Sequence, residues 1–555
     1  MMDVTDPGYI GRVRIKNRIV MAPMISNLAQ ASGYTSEEHI AYLEERAKGG
    51  TGLIITEYTY VNSINSRGSR NQLGAFSMNM SPKLKRITDR VHMHDARIFM
   101  QLVHAGGKAN AQINDVQNFA PSAAEYNGQV AREMTVAEID SVTEDFVRAA
   151  KVAERSGFDG IEIHGAHGYL VEEFISPALN TRSDNYGGTF EKRMLFPQNI
   201  IDAIRSETDI AVGIRLSLLE YDKDGYPPEY GLRVAESLKN LDYVHFSAGR
   251  NAPPGSSASF YSEHVHIANM LPRKPKITTI VVGSITNRND IDRVLEKSDF
   301  VSVGRGHLAD PYFAKKVIEQ RLPMRPCIRC NQNCRDLNYG EVRCAVNPDL
   351  GYELITGRHP AAMKGEVTIV GGGIKGIEAA LLAARSGLTV SLYEKGERIG
   401  GQLLEITDPY KKRDFEALLS YYESALIKSG VTVNLDSNYR ENGIYCLPDV
   451  RYDRVDFHDG ISIDSNVYQY QDYALEFADR GHVVMSLRSL HGLDRGRSEG
   501  FAALARKKGI EFVSNEGRTF DLSLIEKDQY DIRKAIISGR EKIREYIMLA
   551  GNEFL

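Results

Sequence analysis

The sequence has no tryptophan and only five cysteines in 555 residues. It also lacks any run of about 20 consecutive apolar residues, which excludes a conventional membrane-spanning helix. The opening residues have no apolar stretch typical of a signal peptide. Charge of neither sign dominates, since 68 basic residues stand against 73 acidic ones, so no basic surface for nucleic acid is predicted. We expect a cytoplasmic protein that binds neither nucleic acid nor membrane.

The cysteines that are present are concentrated in one segment. Four of the five have the spacing Cys327-x2-Cys330-x3-Cys334-x9-Cys344. Disulfide frameworks spread cysteines along short secreted chains, so a cluster in a long chain indicates metal. The spacing favours a 4Fe-4S cluster over the alternative, zinc, because zinc ribbons usually present two Cys-x2-Cys pairs. The fifth, Cys446, is interpreted as a small buried apolar residue.

Hydrophobic patterning predicts an α/β fold. Over the first 320 residues, eight short β-branched runs are each followed by a helical pattern. Eight β/α units in a row predict a (β/α)8 TIM barrel, with an open doubly wound sheet as the alternative. A new βαβ pattern begins at Glu366. The predicted parts are a barrel (1–325), a cluster segment (326–365), a Rossmann-like nucleotide domain (366–450 and 515–555) and a degenerate, shortened second α/β subdomain (451–514).

Glycines and polar residues follow the predicted barrel strands, at the end where TIM barrels carry their active sites. Glycines there let backbone amides approach a phosphate, and an arginine adds charge-assisted hydrogen bonds. The simpler interpretation is that the glycines only end strands. The residues in these positions are Ala22, Pro23, Met24, Gln101, Arg215, Gly249, Gly283, Gly304 and Arg305.

The end of the fourth predicted strand has the residue types of a proton-transfer site, namely His164, His167 and Tyr169. Two imidazoles close together can donate hydrogen bonds to one carbonyl oxygen and polarise a conjugated double bond. A nearby phenol can then protonate carbon. A His-x-x-His pair can also be half of a zinc site, but this pair leaves a strand and no third ligand is evident.

Residues 5–320 resemble the Old Yellow Enzyme family of FMN oxidoreductases. The resemblance rests on five segments, MAPM (21–24), QLVHAG (101–106), EIHGAHGYL (162–170), NTRSDNYGG (180–188) and GRGHLADP (304–311). It implies that the residues at the strand ends hold FMN. It further implies that His164 and His167 bind the substrate oxygen and that Tyr169 donates the proton. The cysteine segment is similar to that of the long iron–sulfur branch of the family, where the cluster exchanges electrons with FMN.

The start of the C-terminal third predicts a dinucleotide site. Gly371-x-Gly373-x-x-Gly376 follows a predicted strand and opens a helix, and Glu394 ends the next strand. In this context a helix N-terminus binds a pyrophosphate and the acid binds a ribose. Gln402 lies in a Gly-Gly-Gln-Leu segment that resembles the FAD domain of the longer relatives. The predicted contents are FAD, ADP or nothing.

A second dinucleotide motif is expected from the resemblance but is missing. The longer relatives have another glycine-rich fingerprint, for NAD(P)H, whose glycine positions correspond here to Ser465, Val467 and Tyr470. Side chains at these positions obstruct a pyrophosphate. NAD(P)H is therefore a candidate donor only by direct stacking on FMN, and an electron-transfer protein is the alternative donor.

Three functions fit these features. The leading one is an ene-reductase that reduces the C=C bond of an α,β-unsaturated carbonyl compound, such as an enone, enoate or enoyl-CoA. The second is an amine dehydrogenase or N-demethylase similar to trimethylamine dehydrogenase. Against it, no cysteine precedes residue 327 to link FMN covalently, and no tryptophan can build an ammonium cage. The third is a non-catalytic electron-transfer scaffold, which the complete His–His–Tyr set disfavours. A homo-oligomer is also expected.

Overall fold

The structure is a computed structural model. It describes residues 2–126, 128–250, 258–335, 337, 340–356, 363–491, 495–526 and 531–552. Among these residues, no helix is both long and apolar enough to cross a lipid bilayer.

Eight parallel strands close into a barrel, which confirms the predicted TIM barrel over the open sheet. Each strand pairs with the next along the chain, and the last pairs with the first. Nearly all their residues are buried, as expected for strands that are covered on both faces. In chain order, β1 to β8 are Ile19–Met21, Leu53–Ile55, Arg97–Val103, Gly160–Gly165, Ala211–Ser217, Tyr243–Ser247, Thr278–Val282 and Phe300–Val303.

Helices surround the barrel and pack their apolar faces on it. The helix Val136–Arg155 shows how such a helix begins. The Thr135 side chain accepts a hydrogen bond from the backbone N–H of Glu138, and the Glu138 carboxylate accepts one from the backbone N–H of Thr135. This capping box satisfies backbone donors at the start of the helix. In chain order, α1 to α8 are Glu37–Lys48, Ser81–His92, Val136–Arg155, Leu195–Glu207, Pro228–Ser237, Ile267–Met270, Arg288–Leu295 and Phe313–Glu319.

Shorter elements close the barrel bottom and extend its mouth. An antiparallel hairpin, Gly8–Ile10 with Val13–Ile15, covers the bottom with apolar side chains. The remaining short strands are Thr59–Tyr60, Phe119–Ala120, Ala124–Tyr126 and Gln129–Glu133. The remaining short α-helices of the described chain are Ala111–Asn114, Leu170–Ile175, Phe190–Arg193, Arg305–Ala309 and Glu353–Thr356.

The C-terminal third contains two parallel four-stranded sheets. The first consists of β9 to β12, at Glu366–Val370, Thr389–Tyr393, Thr432–Asn434 and Ile444–Tyr445. The second consists of β13 to β16, at Ile461–Ser465, Val483–Ser486, Glu511–Val513 and Leu522–Leu524. The helices, α9 to α13, are Ile374–Arg385, Pro409–Lys428, Tyr468–Phe477, Arg495–Lys507 and Ile532–Asn552.

The second sheet includes a strand that lies beyond residue 514. Strand β16 pairs in parallel with β13. After it, α13 returns to pack along α9, where Gly539 approaches the backbone of Lys375 closely.

Candidate active site

The predicted catalytic residues meet at the carboxyl end of β4. His164 is buried at the end of this strand, and His167 and Tyr169 follow in a turn that is partly open to the barrel mouth. The His164 ring centroid lies 5.2 Å from that of His167 and 5.0 Å from that of Tyr169. The three side chains thus surround one small space above the barrel.

Both imidazoles are neutral in the physiological range. Burial, followed by the positive charge of Arg215, lowers the pKa of His164 and of His167 well below the usual value. Nε2 of His167 lies 2.7 Å from Oγ of Ser247. Nδ1 of His164 is buried and has no hydrogen-bond partner among the described residues. It is therefore open to a ligand at the barrel mouth, while Ser247 orients the other ring.

Tyr58 is a member of this group that sequence reasoning missed. It follows β2, and its ring centroid lies 5.4 Å from that of Tyr169 and 6.4 Å from that of His164. Burial raises the pKa of Tyr169, and a hydrogen bond from Tyr58 opposes that rise. Glu57, next to Tyr58, accepts hydrogen bonds from the Ser26 hydroxyl and from the Leu73 backbone, which fixes this strand end.

The two residues predicted at a flavin ring also reach the mouth. Gln101 Nε2 donates to Glu162 at 2.8 Å, while its Oε1 is buried and accepts no hydrogen bond from any described residue. Arg215 Nη2 donates to Ser247 Oγ at 3.3 Å, and its Nε is likewise buried without a described partner. Buried polar groups are normally paired. These two unpaired atoms are therefore available to a polar ligand.

The glycines predicted at a phosphate stand at the ends of β7 and β8. A Cβ at Gly283, which has a φ of +137°, would meet the Val265 carbonyl oxygen at 2.5 Å. A Cβ at Gly304 would lie 2.8 Å from Sδ of Met24. The backbone here is accordingly tightly packed, and the guanidinium of Arg305 lies beside it, donating to Ala258 and Asn331.

The other predicted strand-end residues line the same mouth. The N–H of Ala22 donates to Val303 of β8 at 3.0 Å, which places the Ala22–Pro23–Met24 segment next to Gly304. Gly249 follows β6 with a φ of +91°, and its carbonyl accepts from the Ser217 hydroxyl. The fold thus brings all nine predicted residues to one end of the barrel.

The four clustered cysteines are gathered between the barrel and the first C-terminal sheet. Burial, followed by the neighbouring thiols, raises the pKa of Cys334 to about 12 and that of Cys344 to about 11. The backbone N–H of Arg329 donates to Cys327 Sγ at 3.4 Å. In the described part of the chain, no three Cys, His, Asp or Glu side chains are placed to hold a single metal ion.

The first dinucleotide motif has the geometry that its glycines predict. A Cβ at Gly376 would lie 1.9 Å from the Gly371 carbonyl oxygen, so this glycine lets α9 pack on β9. At Gly373 the nearest atom would be 3.9 Å away, which leaves that position open to a ligand. Glu394 accepts hydrogen bonds from the backbone of Gly372 and Gly396.

These residues line a cleft of about 1370 Å³ that extends to the cysteines. Gly371, Gly373, Glu394 and Gln402 lie along it, and Cys330 borders it. Clefts of this size accommodate large cofactors.

Protein groups fill the place where the second dinucleotide motif is expected. The Ser465 hydroxyl donates to the Leu524 carbonyl at 2.7 Å, and Asn466 donates to the Glu526 carbonyl at 2.8 Å. Val467 and Tyr470 are both buried at the start of α11. The turn that holds a pyrophosphate in nucleotide domains is thus closed by side chains here.

The barrel, the neutral imidazole pair with its phenol, and the adjoining Rossmann-like domain define the class of flavin oxidoreductases with a TIM barrel. A family model described as NADH:flavin oxidoreductase / NADH oxidase matches residues 4–323. The chain belongs to this family and is an oxidoreductase. A model of an NAD(P)-binding Rossmann-like domain matches residues 369–425.

Two characterised relatives match most of the chain. An NADH oxidase of Thermoanaerobacter brockii is 37% identical over 444 residues, which span 77% of this chain and 68% of the relative. A cinnamate reductase of Clostridium sporogenes is 32% identical over 471 residues, which span 78% of this chain and 70% of the relative.

Two solved structures share the whole architecture. A 2-naphthoyl-CoA reductase superposes with a TM-score of 0.86 at 22% identity, over 97% of this chain and 98% of the other. A histamine dehydrogenase from Rhizobium sp. 4-9 superposes with a TM-score of 0.83 at 20% identity, over 98% and 96%. At these identities, the likeness supports the fold alone.

Proposed function

We propose that this protein is an FMN- and iron–sulfur-dependent reductase of activated C=C bonds, acting on an enoate, enoyl thioester or enone. The observation that carries the proposal is the neutral His164–His167 pair facing Tyr169 across one small space at the barrel mouth. The cinnamate reductase among the relatives, whose name states an enoate substrate, supports this class. The absence of tryptophan for an ammonium cage supports it too.

The residues at the barrel mouth fit FMN. The unpaired Gln101 Oε1 and Arg215 Nε match the donor and acceptor groups of an isoalloxazine ring. Arg305 provides positive charge beside Gly283 and Gly304, where the phosphate is expected. Ala22, Pro23, Met24 and Gly249 complete the cradle. When bound, FMN supplies the hydride.

The chain's own residues then perform the polar steps. His164 and His167, both neutral, hold the carbonyl oxygen and stabilise the negative charge that develops there. Tyr169 gives its phenolic proton to the carbon α to the carbonyl, forming the C–H bond as its O–H bond breaks. Tyr58 donates a hydrogen bond to the oxygen of Tyr169 and so stabilises the phenolate that remains.

Cys327, Cys330, Cys334 and Cys344 fit a 4Fe-4S cluster. The thiols lie close enough to raise one another's pKa, and backbone N–H groups point at Cys327, Cys330 and Cys344. The cluster accepts or delivers single electrons.

The two nucleotide positions bear on the electron source. The open cleft lined by Gly371, Gly373, Glu394 and Gln402 fits FAD or ADP, and Gly376 lets the helix pack behind it. The closed turn at Ser465–Tyr470 does not fit NAD(P)H, so reducing equivalents enter either by a nicotinamide stacked on FMN or from an electron-transfer protein. The expected homo-oligomer stays a prediction, which sedimentation of the holoenzyme tests.

One experiment tests the assignment directly. The holoenzyme is reduced photochemically without oxygen and mixed with cinnamate, crotonyl-CoA or cyclohexenone, and oxidised holoenzyme is mixed separately with a tertiary amine. We expect at least one unsaturated compound to reoxidise the reduced flavin, with its saturated counterpart as product, and the amine to leave the oxidised flavin oxidised. Reduction of the oxidised flavin by the amine, with no response to the unsaturated compounds, would establish the dehydrogenase instead.

Cofactor content tests the rest. We expect one FMN and about four irons per chain, and loss of the iron in Cys334→Ser. Cys446→Ala is the matched control and should keep the iron, because Cys446 is a buried cysteine outside the Cys327–Cys344 segment. Zinc in place of iron, or iron retained in Cys334→Ser, would contradict the cluster assignment.

A further inference from the structure

A lysine at the barrel mouth has no role in the steps described so far. Lys108 lies in the Gly-Gly-Lys turn after β3 and is partly buried. Its Nζ donates to the carbonyl oxygen of His167 at 2.8 Å and to that of Arg250 at 2.8 Å. One ammonium therefore joins the loops that follow β3, β4 and β6, three segments far apart in sequence.

The turn that it holds has an unfavourable backbone. His167 has a φ of +63° and Gly168 a φ of +70°, so two consecutive residues are left-handed. This conformation is uncommon for a residue with a Cβ and costs free energy unless other contacts impose it. The same turn directs the His167 N–H to Ser217 and its ring to Ser247.

The ammonium packs directly against this turn. A Cβ at Gly168 would lie 2.6 Å from Lys108 Nζ. The ammonium also lies 6.0 Å from the centroid of the Tyr169 ring. Lys108 thus contacts the backbone between the residue assigned to the substrate oxygen and the residue assigned to the proton.

The charges around Lys108 come from several elements. Glu172 and Glu173, on the helix that follows Tyr169, and Asp222, after β5, favour the ammonium, while Arg250 opposes it. Glu172 and Glu173 also accept from the backbone of Gly168 and Gly107. Burial is the largest effect and lowers the pKa of Lys108 to about 8. His164 and His167, whose pKa values the Lys108 charge helps to lower, and Tyr169 also face the ammonium.

We propose that Lys108 is the positioning residue of the catalytic turn, whose ammonium holds His167 and Tyr169 in place for the substrate. The proposal rests on the proposed reductase function. A charged donor makes a stronger hydrogen bond to a carbonyl oxygen than a neutral donor does. The hydrogen bonds from Lys108 to His167 and Arg250 therefore weaken when the ammonium loses its proton. The hydrogen bonds of Lys108 described above go to His167 and Arg250 rather than to the predicted ring contacts Gln101 and Arg215, so we expect Lys108→Met still to bind FMN.

Lys108→Met keeps the length of the side chain and removes the donor. We expect flavin reoxidation by cinnamate, or by whichever unsaturated acid reoxidises wild-type enzyme, to slow by about 10- to 100-fold, since small misplacement of reacting groups is costly. FMN content should stay at the wild-type level. Lys85→Met is the control, because Lys85 is exposed on α2.

The pH profile separates positioning from a merely structural role. The wild-type rate should fall above pH 8, where Lys108 loses its proton. Lys108→Met should not show this fall in rate above pH 8. Lys108→Arg keeps its positive charge, so it should restore the rate and show the fall only at higher pH. A wild-type rate in Lys108→Met, or a fall at the same pH in a folded Lys108→Arg, would overturn the proposal.

Unfolding of the holoenzyme gives a readout independent of turnover. The folded-state pKa of Lys108 is lower than the usual lysine value of 10.5, so the unfolded chain binds more protons between pH 8 and 10.5. Unfolding free energy should thus rise with pH across this window in wild type relative to Lys108→Met. An equal pH dependence would overturn the assignment of Lys108, whereas an inactive wild type that shows the rise would overturn only the reductase function.

Discussion

Nε2 of Gln101 donates a hydrogen bond to Oε1 of Glu162 at 2.8 Å, inside the barrel and away from solvent. Glu162 also accepts from the Tyr243 hydroxyl at 3.2 Å and lies 3.0 Å from Nδ1 of His245. Because the nitrogen of Gln101 is engaged below, its oxygen must face the mouth. The orientation of a predicted flavin contact is therefore set by a carboxylate one strand away.

Glu162→Gln should weaken FMN binding. The new amide nitrogen meets donors, so at least one buried group loses its partner at a cost of about 1–3 kcal/mol. We expect the FMN dissociation constant, measured by fluorescence quenching, to rise by about 10-fold or more, since 1.4 kcal/mol is about tenfold. Glu125→Gln, on an exposed hairpin, is the control. An unchanged dissociation constant in Glu162→Gln would show that Gln101 is oriented by other groups.

Substitution of Tyr169 and of Tyr58 should distinguish the proton donor from the residue that donates a hydrogen bond to it. Tyr169→Phe removes the proton donor, and we expect flavin reoxidation by the unsaturated acid to slow by about 10²- to 10⁴-fold. Tyr58→Phe removes a hydrogen bond that lowers the pKa of Tyr169. The acid becomes weaker, and the rate should fall by about 10-fold.

Rapid mixing of reduced enzyme with substrate measures both rates, and Tyr9→Phe, at an exposed position, is the control. Equal losses in the two variants would mean that Tyr58 transfers a proton itself. No loss in Tyr169→Phe would remove its assigned role.

Two glycines of one motif should respond oppositely to alanine. Gly376→Ala places a methyl group 1.9 Å from the Gly371 carbonyl oxygen, and such overpacking should destabilise the protein by about 1–3 kcal/mol. Gly373→Ala meets nothing closer than 3.9 Å, so stability should be preserved while the methyl group blocks a pyrophosphate. Thermal unfolding and the adenine content of the purified protein measure the two effects. Full adenine retention in Gly373→Ala would place the nucleotide elsewhere.

A buried histidine far from the reaction should make the protein acid-sensitive. His307 lies 2.9 Å from the Val303 carbonyl and 3.0 Å from the Thr51 hydroxyl, and burial lowers its pKa to about 4. Below pH 6.5 the unfolded chain binds a proton that the folded chain does not, so unfolding free energy falls with pH toward 4. The slope contributed is about 1.4 kcal/mol per pH unit.

His307→Asn should remove that slope, whereas His458→Asn, on an exposed residue, should not. Equilibrium urea unfolding between pH 7 and 4.5 measures the difference. An unchanged slope in His307→Asn would assign the acid sensitivity to the other buried histidines.

The barrel could be predicted because each of its strands and helices is encoded by a short, continuous stretch of sequence. Each β/α unit carries its own apolar run and amphipathic helix, and residues at strand ends share one end of a barrel whatever their separation in sequence. Tyr58 escaped because the end of β2 reads Thr-Glu-Tyr, with no glycine or basic residue to suggest a ligand. Pairing of β2 with β3, and of β3 with β4, brings the Tyr58 ring to Tyr169, which follows β4.

Other features depend on contacts that the sequence does not display. A single lysine is usually exposed, so nothing in Gly-Gly-Lys indicates that Lys108 reaches two carbonyl groups on other loops. Strand β16 is three residues long, and its place in the second sheet follows from pairing with β13. The dinucleotide glycines, by contrast, are a local motif, and their roles could be read from spacing.

Arg305 donates to Asn331, which stands between Cys330 and Cys334, while it also flanks the glycine turns at the barrel mouth. Loss of the proposed iron–sulfur cluster would release Asn331 and so remove one restraint on the Arg305 guanidinium. Damage to the cysteine segment would then also disturb the barrel mouth. We therefore expect aerobically handled preparations to lose flavin absorbance together with iron, and anaerobic reconstitution with iron and sulfide should precede flavin loading.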